Sequence, residues 1–360
     1  MVASSTEVVW CRTIADLRDE WAELWSRARG VPWNHPGWLE AWATAFARDL
    51  RIVAVRRHGR LEGVLPMDLV GRELRAAANA ESPGAPFCVS DAQAATALAG
   101  ALVARRRWVN VSPLEEDSVA HGALTAATRA AGFAVSEQPV GASPYVRVDA
   151  WDRYLSARDA KLGREIRRRW RRLADQAPPR IEFHDAAGAD VAGLLQRCFD
   201  VERLGWKGQS GTAIASRPQA LRFYRLLGRW AADAGWLRIA FLVSGDRTIA
   251  FDLSLECSGT HHLLKTSFDP SMARFAPGML LRQAMVHRAF AIGLDRYDFL
   301  GRDDGWKMQW ADGTRPRVHL RAFPPTIDGR AGRFAVAAAR RLRTDRLAAV
   351  RRFIEGARSG

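Results

Sequence analysis

The chain has 360 residues, 48% of them hydrophobic and 14 of them Trp, enough for two domains with separate cores, which excludes a disordered tail protein. No 18 apolar residues follow one another, so no membrane-spanning helix is expected. A formal net charge of +15 raises nucleic acid as a partner, but nearly all the basic residues are Arg in an Ala- and Gly-rich chain, a composition that coding bias yields without any anion to bind.

Residues 1–12 lack a basic stretch followed by an apolar one, so no secretory signal is expected. Cys11, Cys88, Cys198 and Cys257 show neither disulfide-framework nor zinc spacing, and the expected compartment is the reducing cytoplasm. Leu17, Trp21, Leu24 and Trp25 recur at helical spacing and predict a helix over 16–28. A Pro/Gly-marked turn over 30–36 leads to a second helix, 37–47. Strands at 51–55 and 62–70 join through His58-Gly59 as a hairpin. An irregular stretch with Pro83, Gly84 and Pro86 follows, then a strand at 108–111, a helix at 115–131, and strands at 133–135 and 145–148.

The second half repeats the scheme. A long basic connecting helix is predicted over 151–176, ended by Pro178-Pro179, with a strand at 180–183 and a helix at 190–204. After a loop over 205–216 come a helix at 217–234, a hairpin of 236–243 with 248–257, and a strand at 261–268. A helix at 278–292 and strands at 295–300 and 317–323 complete the half. This shared element order points to duplication, with domains at 1–150 and 179–326 and the basic connecting helix at 151–178 between them. The last segment, 327–360, reads as a basic amphipathic helix packed on its own protein, a membrane surface being the alternative.

Chemistry concentrates in 263–285, where a strand runs through a loop into a helix whose first turn carries Gly278. Free main-chain N–H groups at a helix start attract phosphate, a glycine admits it closely, and Arg274 could add a charge-assisted contact. The pattern suits a pyrophosphate; equally, Pro277-Gly278 could simply start the helix. Asp252 interrupts the apolar strand 249–255 and should face a cleft or be paired; Glu256, Asp269 and Asp298 are further candidate bases. Only Lys161, Lys207, Lys265 and Lys307 escape replacement by Arg, which marks them as places for a compact ammonium. Trp206 and Lys207 lie in a loop, where substrate contacts tend to sit. His261-His262 has no third ligand at zinc spacing, so no metal is expected.

Five ordered segments carry a resemblance: Glu202-Arg-Leu-Gly-Trp-Lys-Gly208, the hairpin, Phe268-Asp-Pro270 with Pro277-Gly-Met-Leu-Leu281, Tyr297-Asp-Phe-Leu-Gly301, and Trp306-Lys-Met-Gln-Trp310. Together they resemble the CelD/BioF2-like acyltransferase family, which is similar to GNAT acetyltransferases and, more distantly, to FemXAB aminoacyl-tRNA-dependent transferases. The resemblance implies an α/β (α+β) fold of tandem GNAT-like domains, mixed twisted sheets flanked by helices, with a degenerate N-terminal copy. It implies acyl-CoA as co-substrate and no metal. The pantetheine arm would pair along Thr266, Ser267 and Phe268, where 261–268 splays from 295–300, and the pyrophosphate would lie over Arg274, Gly278, Met279 and Leu280. Lys307 would stabilise negative charge in the transition state, with Trp306 as a wall. Asp252, Asp269 and Asp298 remain candidate bases, and Trp206, Lys207 and Lys265 candidate substrate contacts. The loop departs from the usual GNAT pattern in offering a single glycine.

The expected reaction moves an acyl group from a CoA thioester to the amine of a small polar acceptor. One alternative is a FemX-like aminoacyl-tRNA-dependent transferase, with tRNA along the basic helix of Arg164, Arg167, Arg168, Arg169, Arg171 and Arg172. Another is a non-catalytic binding module in envelope or polysaccharide assembly. A monomer is expected, because two tandem copies can pack as a pseudo-dimer.

Overall fold

The computed structural model describes residues 6–158, 160–185, 190–205, 208 and 210–338. Six strands belong to the first half: β1 (Thr6–Cys11), β2 (Leu50–Arg57), β3 (Arg60–Val70), β4 (Glu73–Ala76), β5 (Cys88–Val89) and β6 (Trp108–Glu115). Then come the long β7 (Ala134–Arg147), β8 (Pro179–His184), β9 (Leu237–Ser244), β10 (Arg247–Cys257), β11 (Thr260–Phe268), β12 (Arg296–Asp298) and β13 (Gly313–Phe323). Helices α1 (Arg18–Arg27), α2 (Pro36–Phe46), α3 (Ala92–Ala104) and α4 (Val119–Ala130) flank the first half. Helices α5 (Trp151–Ser156), α6 (Ala160–Ala174), α7 (Val191–Leu204), α8 (Pro218–Asp233), α9 (Pro277–Ala291) and the short α10 (Gly305–Met308) flank the second.

All strands form one mixed sheet in the order β1-β2-β3-β4-β6-β13-β7-β12-β11-β10-β9-β8, with β5 paired to β3 off this path. Read from either end the order is the same: four antiparallel strands, then one parallel junction, then a long strand from the other half. The parallel junctions are β4 with β6, over Glu73–Arg75 and Trp108–Asn110, and β11 with β12, over Thr260–His262 and Arg296–Asp298. At the centre β13 lies antiparallel between β6 and β7, and β7 pairs with β12. Each half thus hands its last strand to its twin. A cut at residue 150 divides the chain but not the sheet, since β7 lies beside β12 and β13 beside β6.

Local sequence explains most element ends. Asp91, Ser118 and Asp190 cap α3, α4 and α7 by accepting a main-chain N–H with the side chain, and Pro36, Pro218 and Pro277 occupy first-turn positions. Several expectations are corrected. The predicted strands 133–135 and 145–148 are the two ends of the single β7, and β6 runs on to Glu115, delaying α4 until its Ser118 cap. The long connecting helix is broken into α5 and α6, and Arg158 between them donates to the Ala311 carbonyl at 2.7 Å. Helix α3 was not foreseen because AQAATALAGALVA is apolar all round and shows no helical contrast. Residues 327–338 are helical, and the remainder of the predicted tail helix lies outside the described residues.

Aromatic packing joins the halves. Trp25 stacks on Trp236 with ring centroids 4.8 Å apart, and His35 lies 5.2 Å from both Trp230 and Trp236. Burial pulls the His35 imidazole down to about 4, with Arg18 adding repulsion. No helix among the described residues is long and apolar enough to cross a membrane.

Candidate functional site

Strand β12 is three residues long because Asp298 turns the chain away from β11. One carboxylate oxygen of Asp298 accepts Leu300 N–H at 2.9 Å and Ser143 Oγ–H at 3.3 Å, the other accepts from Arg315, and Leu300 takes a left-handed φ of 51°. Strand β11 carries on to Phe268 with β10 as its partner on one side and no strand on the other. A bulge at Leu264, between the Leu253–Lys265 and Ser254–Leu263 pairs, sharpens the divergence. The wedge so opened holds a cavity of about 720 Å³.

Two features of its walls suit a polar, extended ligand. First, Asp269 N–H bonds the Ile249 carbonyl on the β10 side. Strand alternation therefore turns the main-chain groups of Thr266 and Phe268 to the opposite edge, which has no strand partner beyond the β11–β12 junction. Second, α9 starts against the cavity. Ala276, at a left-handed φ of 52°, links a 3₁₀ turn (Pro270–Phe275) to α9, and no side chain caps the helix. Gly278 and Met279 line the cavity, and a Cβ on Gly278 would meet Phe268 at 3.5 Å. The helix start thus presents main-chain N–H to the opening, with its partial positive charge.

The far wall is aromatic and basic: Phe299, Trp306, Trp310, Arg282 and Lys307. Lys307 is buried, and its ammonium donates to the carbonyls of Leu300 at 3.0 Å and Arg302 at 2.9 Å while pairing with Asp304 at 3.0 Å. Burial lowers its basicity, and Asp304 opposes that shift. Among the described residues Asp304 is the acidic side chain on this cavity wall; an Asp three residues before a lysine was its only sequence signal.

A second cavity of about 810 Å³ lies across the splay and shares Leu264, Lys265, Leu300 and Gly301 with the first. Its wall includes Glu81, which sequence reading missed inside a Pro/Gly-rich loop. Glu81 is buried, accepts Tyr224 O–H at 3.0 Å, and pairs with Lys265 at 3.0 Å and with Arg217. Burial would raise its carboxyl, but Lys265 and Arg217 hold it below the usual range.

The expected bases are not poised for proton abstraction. Asp252 is fully buried and held by both Arg282 Nη atoms, at 2.6 and 2.8 Å, so it takes the paired alternative rather than facing the cavity. Asp269 caps the 3₁₀ turn through Ser271 N–H at 2.9 Å and pairs with Arg247. Asp298 shapes the turn as described. Glu256 is shared by His261, at 2.9 Å, Arg238 and Arg288; burial opposes its ionisation, but His261 and Arg288 bring it down to about 2.

Thr266, Ser267, Phe268, Gly278, Met279, Lys265 and Trp306 all line the first cavity. Leu280 does not: it is core, 1% exposed. Arg274 is engaged elsewhere, donating to Gln176 at 3.1 Å with its guanidinium over the Phe275 ring. Lys307 is on the wall, but all three of its N–H donors are committed, which makes it a strut of the 300–304 turn rather than a free oxyanion donor. Trp206 and Lys207 lie outside the described residues.

Residues 160–308 match the family model described as Acetyltransferase (GNAT) domain. The splayed β11–β12 pair and the start of α9 fall in this matched stretch, as do the residues lining the open cavity except Gln309 and Trp310. FemX shares the fold, at 12% identity and a TM-score of 0.60 over 88% of this chain and 97% of that one. The C-terminal domain of a putative lysylphosphatidylglycerol synthetase from Agrobacterium fabrum also shares it, at 12% identity and a TM-score of 0.56 over 90% of this chain and 96% of that one. A conserved protein of unknown function from Bacteroides thetaiotaomicron is similar too, at 13% identity and 0.53 over 88% and 99%. No curated protein sequence matches the chain significantly. The likeness at these identities is one of fold.

Proposed function

We propose that the protein is a GNAT-type acyltransferase of the CelD/BioF2-like kind, moving an acyl group from an acyl-CoA thioester to the amine of a small polar acceptor. The observation that carries this is the unpaired edge of β11 beside an uncapped helix start. The pantetheine arm is extended and bears two amides, which match the outward main-chain groups of Thr266 and Phe268 as an added strand would. The pyrophosphate finds main-chain N–H at Gly278, a residue with no side chain of its own to stand in the way.

With the thioester at the splay, the acceptor nitrogen attacks the carbonyl carbon. The C–N bond forms, the C–S bond breaks, and the sulfur takes the proton that the nitrogen gives up, leaving an amide and free CoA thiol. Charge on the carbonyl oxygen during attack is met by main-chain N–H of the free strand edge. Asp304, on the cavity wall, is the carboxylate available to accept the amine's proton, directly or through water. Lys307 positions Asp304 and the 300–304 turn. The four cysteines are free thiols, in keeping with a reducing cytoplasm.

A FemX-like, tRNA-linked donor is the second reading. Arg164, Arg167, Arg168, Arg171 and Arg172 are exposed on α6, and Arg169 of the same helix donates to the Arg274 carbonyl at the cavity's edge. Thermal unfolding separates the two readings: a ligand at 100 times its Kd adds about 2.7 kcal/mol to stability. A rise in Tm with acetyl-CoA and none with aminoacyl-tRNA supports the thioester donor; the reverse pattern overturns it.

A further inference from the structure

We infer that the second cavity is the acceptor subsite and that the acceptor amine carries an anionic group, a carboxylate or a phosphate. This rests on the acyltransferase reading above. The two cavities meet at Leu264, Lys265, Leu300 and Gly301, so a thioester held in the first presents its carbonyl to the second.

The second cavity carries cations without matching anions. Arg75, Lys265, Arg302, Arg317 and Arg321 line it, against Glu81 alone. Glu81 is occupied by Lys265 and Arg217, and Arg75 is paired with Glu73. Among the described residues, Arg302, Arg317 and Arg321 have no ion pair. Arg317 is the decisive one. It is 7% exposed and donates only to the carbonyls of Pro83, at 3.1 Å, and Gly301, with no carboxylate in contact; Asp298 and Glu115 act on it only at longer range.

A buried guanidinium without a carboxylate is costly unless something supplies the missing charge. Coding bias explains arginines on a wetted surface; it does not explain one buried beside a cavity with no carboxylate in contact. Arg317 draws on both halves, through the Pro83 loop of the first and the Gly301 turn of the second, so the subsite exists only because β13 has crossed over. Planar guanidinium forks bind carboxylate and phosphate oxygens in pairs, which fixes the amine at the end of the ligand facing the splay.

The test is calorimetric titration of the intact, CoA-saturated protein with two matched pairs of amines. Glucosamine 6-phosphate against glucosamine reports on phosphate, and alanine against alaninamide on carboxylate. The expected result is binding of the anionic member of at least one pair with its neutral partner failing, and the pair that responds names the source of the charge. In an Arg302→Ala/Arg321→Ala variant, whose two arginines are not buried, that binding weakens roughly tenfold or more, as loss of charge-assisted hydrogen bonds requires. CoA affinity stays unchanged in the same variant. Equal binding of charged and neutral amines, no binding of either anionic amine, or an unaltered response in the double variant each overturns the inference. Loss of CoA binding alone, with the anion preference intact, instead sinks the donor assignment.

Discussion

Asp252 forms a bidentate pair with Arg282 of the first cavity's wall, each no more than 1% exposed. Removing one partner strands the other charge in the core, so Asp252→Ala should lower unfolding stability by about 3–5 kcal/mol, read from the urea midpoint. A Asp252→Asn protein that stays as stable as the parent yet loses turnover would instead make Asp252 a reacting group. Lys307→Met should lower kcat by releasing the 300–304 turn and Asp304, while the acyl-CoA Kd moves less; an unchanged kcat would contradict the strut role. The sequence marked Asp252 as special because it broke an apolar strand. Its partner was invisible, since Arg282 sits thirty residues on, among many arginines. Glu81 was hidden for a different reason: a loop of Pro and Gly has no period from which a buried carboxylate can stand out.

At the scale of elements, the strand, loop and helix of 260–291 were readable from apolar runs and from the Pro-Gly pair that opens α9. What was not readable from pattern alone was the splay. It depends on the Asp298 turn and the Leu264 bulge, contacts between residues far apart in the chain, and only the family resemblance anticipated it. Helix α3 and strands β4 and β5 were missed because short or uniformly apolar segments lack contrast. Gly278 gives this level a clean probe. Its Cβ position meets only Phe268, at an ordinary contact distance, so Gly278→Ala should fold and gain up to about 1 kcal/mol from helix propensity. The same methyl intrudes where the pyrophosphate approaches, so acyl-CoA affinity should fall. Calorimetric titration checks the affinity and urea unfolding the stability; unaltered affinity would remove the helix start from the site.

For the whole molecule, the exchange of β7 and β13 makes one sheet from two repeats and sets both cavities near the seam. The sequence showed the repeat but not the exchange, because a strand's pattern does not reveal its neighbours. Histidines mark the seam. His35 lies within the cluster of Trp25, Trp230 and Trp236, and His262 packs edge-on against Trp33; burial brings each to about 4. The unfolded chain, with histidines near 6.5, binds protons that the folded one refuses. Stability should therefore hold level above pH 6.5 and fall progressively as pH drops from 6.5 toward 4. His262→Gln should flatten that decline in a Tm-versus-pH series; an unaltered slope would contradict the assignment. The open edge of β11 is what the enzyme reading depends on, and hydrogen exchange with and without acetyl-CoA tests it most directly. Slowed exchange of the Thr266, Phe268 and Gly278 amides on binding is the predicted result, and unchanged exchange there with a saturating thioester would contradict it.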